Sequence, residues 1–169
     1  MAVEIERKFL VRSDAWRDAA ARVVEIRQGY VAREAGSSVR VRQQGDRFVL
    51  AIKADHPGGG RWEFEYPLPE VDGATLLGEV CRAPLVEKRR HYVPVGELMW
   101  EVDDFTGVNH GLVVAELELA SWDQSFARPD WLGPEVTSDP RFVNARLYDY
   151  PFAGWGTSYA DLVATLDDM

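Results

Sequence analysis

Apolar and polar residues alternate with a period of two along much of this chain. Successive side chains of a β-strand point to opposite faces of the sheet, so this spacing predicts strands. The clearest case is residues 61–68, where Trp62 and Phe64 would share one face and Glu63 and Glu65 the other. Eight strands are predicted in this way, over residues 1–10, 25–33, 38–44, 47–54, 61–68, 86–93, 98–105 and 112–119.

Helical signals are short and lie between or after the strands. Capping residues and apolar spacing predict helices over residues 14–22, 72–81, 140–147 and 158–166. Because no regular helix separates successive strands, the order disfavours a parallel wound sheet. It favours an antiparallel meander or closed barrel in a single α+β domain, mainly antiparallel β, with helices packed outside. Residues 140–169 would form a C-terminal helical segment, whose last helix could plug one end of the barrel or pack on its outside.

The predicted strands repeatedly carry their charges on one face. If the sheet closes with these faces inward, eight acids and six bases line the interior. Unpaired charges in a dry interior cost several kcal/mol each, so we expect this interior to be hydrated, loaded with metal ions, or both. Taken alone, the first strand is more simply interpreted as an edge strand with a solvated face. Later strands repeat the charged face of this first strand, and the repetition argues for a charged interior.

The opposite, apolar faces would form the outside of the barrel and must be covered. We therefore expect helices over them, with Trp62, Phe64, Trp100 and Trp122 in the core. The three histidines are scattered and lack metal-ligand spacing, so we expect them at the surface or at strand ends.

The net charge of −9 and the single cysteine exclude several classes of partner and of metal site. A negative field repels phosphate backbones and anionic lipids, so neither a nucleic-acid polymer nor a membrane is an expected partner. One cysteine, Cys81, excludes an internal disulfide framework and a cysteine-cluster metal site. With no apolar run near 18 residues, we expect a soluble, cytoplasmic protein.

Acids and bases on one lining suggest a specific chemistry. Carboxylate oxygens are the ligands that Mg²⁺, Mn²⁺ and Ca²⁺ prefer, and the pairs Glu4/Glu6 and Glu116/Glu118 each place two of them on one face of a strand. Arginine and lysine donate to phosphate oxygens. The lining therefore indicates a metal-assisted phosphate site.

The segment Glu4-Ile5-Glu6-Arg7-Lys8 resembles the ExExK signature of the CYTH superfamily, also called triphosphate tunnel metalloenzymes. Further matching motifs follow in the family's order: Arg40-Val41-Arg42, Lys53, Glu63/Glu65, Lys88-x-Arg90, Glu101-Val102-Asp103, Glu116-Leu117-Glu118, and a closing segment from Trp131 to Asn144. The resemblance is to short bacterial members and extends from residue 4 to about residue 147.

This resemblance implies an eight-stranded antiparallel tunnel that binds a triphosphate with divalent metal. Phosphate oxygens would be held by Lys8, Arg40, Arg42, Lys53, Lys88 and Arg90. Mg²⁺ or Mn²⁺, two ions per site, would be bound by Glu4, Glu6, Glu116 and Glu118, with help from Glu63, Glu65 and Asp103. Tyr30 would orient a metal ligand, and the expected catalytic set is Glu4, Glu6, Lys8, Tyr30, Glu116 and Glu118.

The resemblance further implies hydrolysis of inorganic tripolyphosphate or a nucleoside triphosphate by a metal-activated water, without a Ser, Cys or His nucleophile. Two alternatives stay open: cyclisation of ATP, as in class IV adenylyl cyclases, and non-catalytic binding of polyphosphate or nucleotide. Ala51 and Phe142 depart from residues common in relatives and bear on substrate preference. Members of the family often pair, so a homodimer is also open.

Overall fold

The computed structural model describes residues 3–168, which form nine strands and three α-helices. The strands are β1 (Val3–Val11), β2 (Arg22–Glu34), β3 (Ser37–Gln44), β4 (Arg47–Asp55), β5 (Arg61–Leu68), β6 (Val86–Val95), β7 (Leu98–Thr106), β8 (Val113–Leu119) and β9 (Leu132–Glu135). The helices are α1 (Glu70–Thr75), α2 (Asn144–Asp149) and α3 (Tyr159–Asp167). All eight predicted strands are confirmed, although residues 1–2 of the first lie outside the described residues.

The sheet closes on itself. Its strands follow the order β5-β4-β3-β2-β6-β7-β8-β1-β9, and an additional pairing of β5 with β1 completes the ring. Each pairing is antiparallel, and the closing contact places Val3 opposite Trp62 and Glu4 opposite Arg61. The predicted closed, eight-stranded antiparallel barrel is confirmed. The short β9 was not predicted; it extends the sheet beside the end of β1, with Phe9 opposite Glu135.

The interior of the barrel is divided into a charged part and an apolar part. Side chains two apart on a strand share a face, so the inward rows that carry Lys8, Asp103 and Glu116 continue to Leu10, Phe105 and Val114. These apolar side chains are buried in one cluster. The C-terminal segment contributes to the same cluster through Phe142, Leu147, Phe152 and, from α3, Leu162. The charged interior was therefore predicted correctly for one end of the barrel only, because the other end is filled by an apolar core.

Loops rather than helices cover a large part of the outer wall. A core cluster on β1, β7 and β8 is closed by Trp16 and Trp131, neither of which belongs to a helix. The predicted helix over residues 14–22 is wrong: residues 15–19 form turns, with the Arg17 N–H donating to the Asp14 carbonyl. Trp16 is completely buried in this position, so its tertiary packing outweighs the local helix preference.

Helix α1 covers the outer wall of β3 and β4. It approaches so closely that a Cβ at Gly73 would lie 2.3 Å from Phe48 Cγ. The predicted helix over residues 72–81 is confirmed with two changes, since it begins at Glu70 and ends in a π-helical turn over Leu76–Val80. Cys81 follows this turn and packs in a buried cluster with Val41, Phe48 and Leu77, so it belongs to the core, as expected.

The prediction that four aromatic side chains belong to the core is wrong for three of them. Trp100 is fully buried, but Trp62 is half-buried, and Phe64 and Trp122 are 45% and 47% exposed. For Trp62 and Phe64 the physical reason is the position of α1, which packs over β3 and β4 and leaves the outer face of β5 to solvent. Trp122 lies in the turn after β8. One histidine also differs from expectation, because His91 is buried against Trp16.

The C-terminal segment consists of short pieces. The predicted helix over residues 140–147 is replaced by a 3₁₀ turn, Pro140–Phe142, followed by α2, because Val143 between them is extended. Helix α3 is confirmed with Ser158 as its cap. The Tyr159 hydroxyl lies 3.1 Å from the Val11 carbonyl and 3.0 Å from the Val113 carbonyl, and this contact holds α3 against β1 and β8. Within residues 3–168, no helix is long and apolar enough to cross a membrane.

Candidate active site

The charged end of the barrel encloses a cavity of about 50 Å³ lined only by polar and charged side chains. Strands β1 to β8, except β5, and helix α2 contribute to it. The lining residues are Glu4, Glu6, Gln28, Arg40, Arg42, Lys53, Lys88, Arg90, Glu101, Glu116, Glu118 and Asn144. Nine of the predicted site residues thus meet in one cavity, because the inward rows of all these strands converge there.

Four carboxylates crowd one part of this site. Glu6 and Glu118 lie directly opposite each other on β1 and β8. Burial, together with the negative charges of Glu4, Glu63 and Glu6, raises the pKa of Glu118. Like charges directly opposite each other are unfavourable in a sheet. Carboxylate oxygens are the ligands that a divalent cation prefers, and a cation bound here would neutralise the repulsion.

Lys8 and Glu116 form a buried ion pair behind this group. The Lys8 ammonium lies 2.5 Å from Glu116 and 2.7 Å from Glu6. Burial alone would lower the pKa of Lys8, but Glu116 and Glu6 raise it above its ordinary value. Burial likewise opposes ionisation of Glu116, yet Lys8, Lys88 and Arg90 hold its pKa well below the usual range. Both side chains are therefore charged at neutral pH.

Asp103 is the centre of a second buried network. It is fully buried, and its carboxylate receives Arg90 Nε at 2.7 Å and Lys88 Nζ at 2.5 Å. Arg90 lies directly opposite Asp103 across β6 and β7, and its guanidinium also reaches Glu101 and Glu116. Burial, only partly offset by Asp103, lowers the pKa of Lys88 to about 8. This arrangement holds both bases with their cationic ends in the cavity wall.

The opposite wall has more donors than acceptors. Lys53 is paired with Glu4 at 2.5 Å and with Glu63 at 3.1 Å. Arg42 donates to Glu65 at 2.8 Å, whereas Arg40 is 3.7 Å from Glu63. The Nε–H groups of Arg40 and Arg42 are buried without a hydrogen-bond partner in the described chain. Burial and the neighbouring Arg40 lower the pKa of Arg42. A wall with unfilled cationic donors is suited to an anion.

Five predicted site residues do not line the cavity directly. Lys8, Glu63 and Asp103 support lining residues through the ion pairs described above, and Glu65 lies at the rim, where its side chain is 41% exposed. Tyr30 is placed differently: its ring packs on Tyr148, with centroids 5.3 Å apart, in the apolar end of the barrel. The structure does not bring Tyr30 to the cavity wall, and its catalytic role stays a prediction.

Three lining residues are absent from the predicted site set. Glu101 lies on an inward row and matches a family motif, so the strand pattern contained its signal. Gln28 also lies on an inward row, but a neutral amide does not stand out in a charge pattern. Asn144 reaches the site from α2, where its Oδ1 accepts from Lys88 Nζ at 3.3 Å. Only the return of the C-terminal segment to the barrel places it there.

Most of the acids are already engaged by bases in this structure. Among residues 3–168, no three His, Cys, Asp or Glu side chains form a group arranged to hold a metal ion in their present conformations. Lys53 holds Glu4, and Lys8 holds Glu6 and Glu116. Glu118 makes no ion pair within the described chain. Cation binding therefore requires the lysines to turn toward another partner, and a phosphate chain would supply one.

Comparison of the sequence with known proteins identifies related chains. The family model described as CYTH domain matches residues 2–143. An inorganic triphosphatase of Acetivibrio thermocellus is 41% identical over 152 residues, which cover 90% of this chain and 97% of that protein. An inorganic triphosphatase of Nitrosomonas europaea is 37% identical over 149 residues, covering 85% and 95%.

The fold comparison agrees with the sequence comparison. The crystal structure of the inorganic triphosphatase NE1496 superposes with a TM-score of 0.65 and 32% identity, covering 88% of this chain and 95% of that one. The similarity thus includes the barrel and nearly the whole length of each relative.

Proposed function

Because the chain belongs to the CYTH domain family and is a triphosphatase, we propose that it hydrolyses inorganic tripolyphosphate with the help of Mg²⁺ or Mn²⁺. The observation that carries this proposal is the division of the cavity into two chemical parts. Crowded carboxylates occupy one part, and arginine and lysine side chains occupy the other, where the Nε–H groups of Arg40 and Arg42 lack a partner in the described chain. A metal–triphosphate complex has the complementary division of charge.

The basic residues bind the phosphate chain. The free Nε–H groups of Arg40 and Arg42 need acceptors, and phosphate oxygens are acceptors only. Lys53, Lys88 and Arg90 add cationic groups on neighbouring strands. When a phosphate chain takes Lys53 and Lys8 as partners, their present acceptors, Glu4 and Glu6, are released.

The released carboxylates would hold the metal. Glu4, Glu6 and Glu118, with Glu63 nearby, are the residues suited to this role. Mg²⁺ or Mn²⁺ in such a site neutralises phosphate charge and lowers the pKa of a bound water, which is the chemistry that phosphoric anhydride hydrolysis needs. We keep Glu116 and Glu65 as predicted ligands. For Asp103 we propose a different role from the predicted one: it does not line the cavity, its oxygens accept from Lys88 and Arg90, and it positions these bases.

The lining favours an unsubstituted triphosphate over a nucleotide. All twelve lining residues are polar or charged, so the described cavity offers no aromatic or aliphatic side chain on which a nucleoside base could stack. This observation also argues against cyclisation of ATP, because that reaction requires the ribose and the α-phosphate to be held together in the site. A nucleoside triphosphate is the second candidate substrate, and its base would have to lie outside the cavity.

Phosphate release tests the proposal. The protein is incubated with tripolyphosphate, ATP or thiamine triphosphate, each with Mg²⁺, with Mn²⁺ or with EDTA, and ATP reactions are also searched for cyclic AMP. We expect metal-dependent release that is fastest with tripolyphosphate and no cyclic AMP. Faster turnover of ATP would overturn the substrate assignment, and no turnover of any triphosphate with either metal would overturn the enzyme assignment.

A further inference from the structure

Gln28 is a buried amide in the cavity wall, and its nitrogen lacks a hydrogen-bond partner in the described chain. It lies on the inward row of β2, is 1% exposed and lines the cavity. Its Nε2 has no acceptor in the described chain. Native proteins satisfy nearly all buried polar groups, so an unfilled donor inside a polar cavity indicates a missing ligand atom.

The surroundings of Gln28 identify the kind of atom. Gln28 lies directly opposite Arg42 across β2 and β3, and Arg40 is the next inward residue on β3. The Nε–H groups of both arginines also lack partners. Three unpaired donors therefore lie on two adjacent strands, whereas Glu4, Glu6 and Glu116 are engaged by other bases. Three neighbouring unpaired donors fit a ligand with several acceptor oxygens close together.

We infer that Gln28 is a further substrate-binding residue, whose Nε2 donates a hydrogen bond to a phosphate oxygen of the triphosphate. This inference rests on the proposed function and deepens it. A neutral amide adds a directional donor beside Arg42 without adding positive charge. Gln28 thus fixes the orientation of a phosphate group that the flexible cations alone would hold only by charge.

Two substitutions separate a binding role from a structural one. Gln28→Leu removes the amide at similar size, and Gln28→Glu keeps the shape but places a carboxylate against the phosphate. Gln43→Glu is the matched control, because Gln43 lies on the adjacent strand and donates to the Gly45 carbonyl at the surface. The dissociation constant of tripolyphosphate is measured by calorimetry in EDTA and with Mg²⁺, together with kcat, KM and the melting temperature.

We expect both Gln28 variants to raise Kd and KM by about tenfold or more, with kcat changed much less, and Gln43→Glu to behave as wild type. Without ligand, Gln28→Leu should melt at or above the wild-type temperature, because it removes an unfilled donor. With tripolyphosphate, its gain in melting temperature should be smaller than that of wild type.

Two results would overturn the inference. One is a Kd and KM within twofold of wild type in both variants. The other is a lower melting temperature of Gln28→Leu without ligand, which would assign Gln28 a structural role. If the wild-type protein neither binds nor hydrolyses tripolyphosphate, the proposed function itself has failed, so the two failures are distinguishable.

Discussion

Lys8 and Glu116 lie directly opposite each other on β1 and β8, and the Lys8 ammonium is 2.5 Å from the Glu116 carboxylate. The pair joins the first charged strand to the last charged strand of the barrel. It also connects the two parts of the site, since Glu116 touches Arg90 and Lys8 touches Glu6. A change at either residue should therefore affect metal and phosphate binding together.

Replacing Glu116 with glutamine removes this charge while keeping the shape. We expect kcat for tripolyphosphate to fall about a hundredfold, with binding of tripolyphosphate partly retained, because the bases of the opposite wall are untouched. Steady-state kinetics and calorimetry check both parts. Glu25→Gln is the control, since Glu25 pairs with Arg89 at the surface. Unchanged turnover of Glu116→Gln would refute its role in the site.

Replacing Arg42 with alanine should act mainly on binding. Arg42 lines the cavity and has an unfilled Nε–H, so we expect KM for tripolyphosphate to rise about tenfold or more. Arg89→Ala removes an arginine from the outer face, where it is exposed, and should leave KM unchanged. An equal KM in both variants would place the Arg42 side chain outside the substrate path.

Replacing Asp103 with asparagine tests its proposed positioning role. The change leaves Lys88 and Arg90 buried with one charge partner fewer, so we expect a loss of about 3–5 kcal/mol in the free energy of unfolding. Tripolyphosphate should restore part of this loss, because it offers both bases new acceptors. Urea unfolding with and without the ligand measures both effects.

Asp104→Asn is the matched control for Asp103. Asp104 pairs with Arg17 on the outside of the barrel, where both side chains are partly exposed, so its loss should be about 1 kcal/mol or less. A similar loss in both variants would contradict the positioning role.

Trp16 provides a test of the fold. It is fully buried on the outer wall although it belongs to a loop, so Trp16→Ala should reduce the free energy of unfolding by about 3–5 kcal/mol. Trp122 is 47% exposed, and Trp122→Ala should reduce it far less. Chemical denaturation of the two variants measures the difference. Equal losses would mean that the loop does not seal the core in solution.

Residue alternation was sufficient to predict the barrel and most of its charged lining. A period of two fixes which side chains share a face, so Glu4 and Glu6 fell together, as did Arg40 and Arg42. Residues 86–93 are charged on both faces, so alternation alone could not choose between them, and only the family resemblance placed Arg90 inside. The same pattern could not show where the charged interior ends. Leu10 and Phe105 lie on the same inward rows, and only their contact with the C-terminal segment makes that end an apolar core.

Residues placed by long-range folding were not predictable from local patterns. Asn144 reaches the cavity because α2 packs against the barrel, and the segment around Trp16 forms turns because a distant cluster buries its indole. Gln28 could not be predicted for a different reason. Its amide nitrogen lacks a hydrogen-bond acceptor in the described chain, and this can be seen only when its neighbours in space are known.

The apolar core at one end of the barrel also limits the route by which molecules can enter and leave the site. Among the described residues, Phe105, Leu147 and their neighbours fill that end, so we expect the substrate of the proposed reaction to enter, and its products to leave, through the charged rim. We therefore expect a long polyphosphate to be shortened from a terminus and not cut in its middle. If tripolyphosphate is the substrate, orthophosphate and pyrophosphate leave by the rim through which the next molecule enters, so both should inhibit competitively.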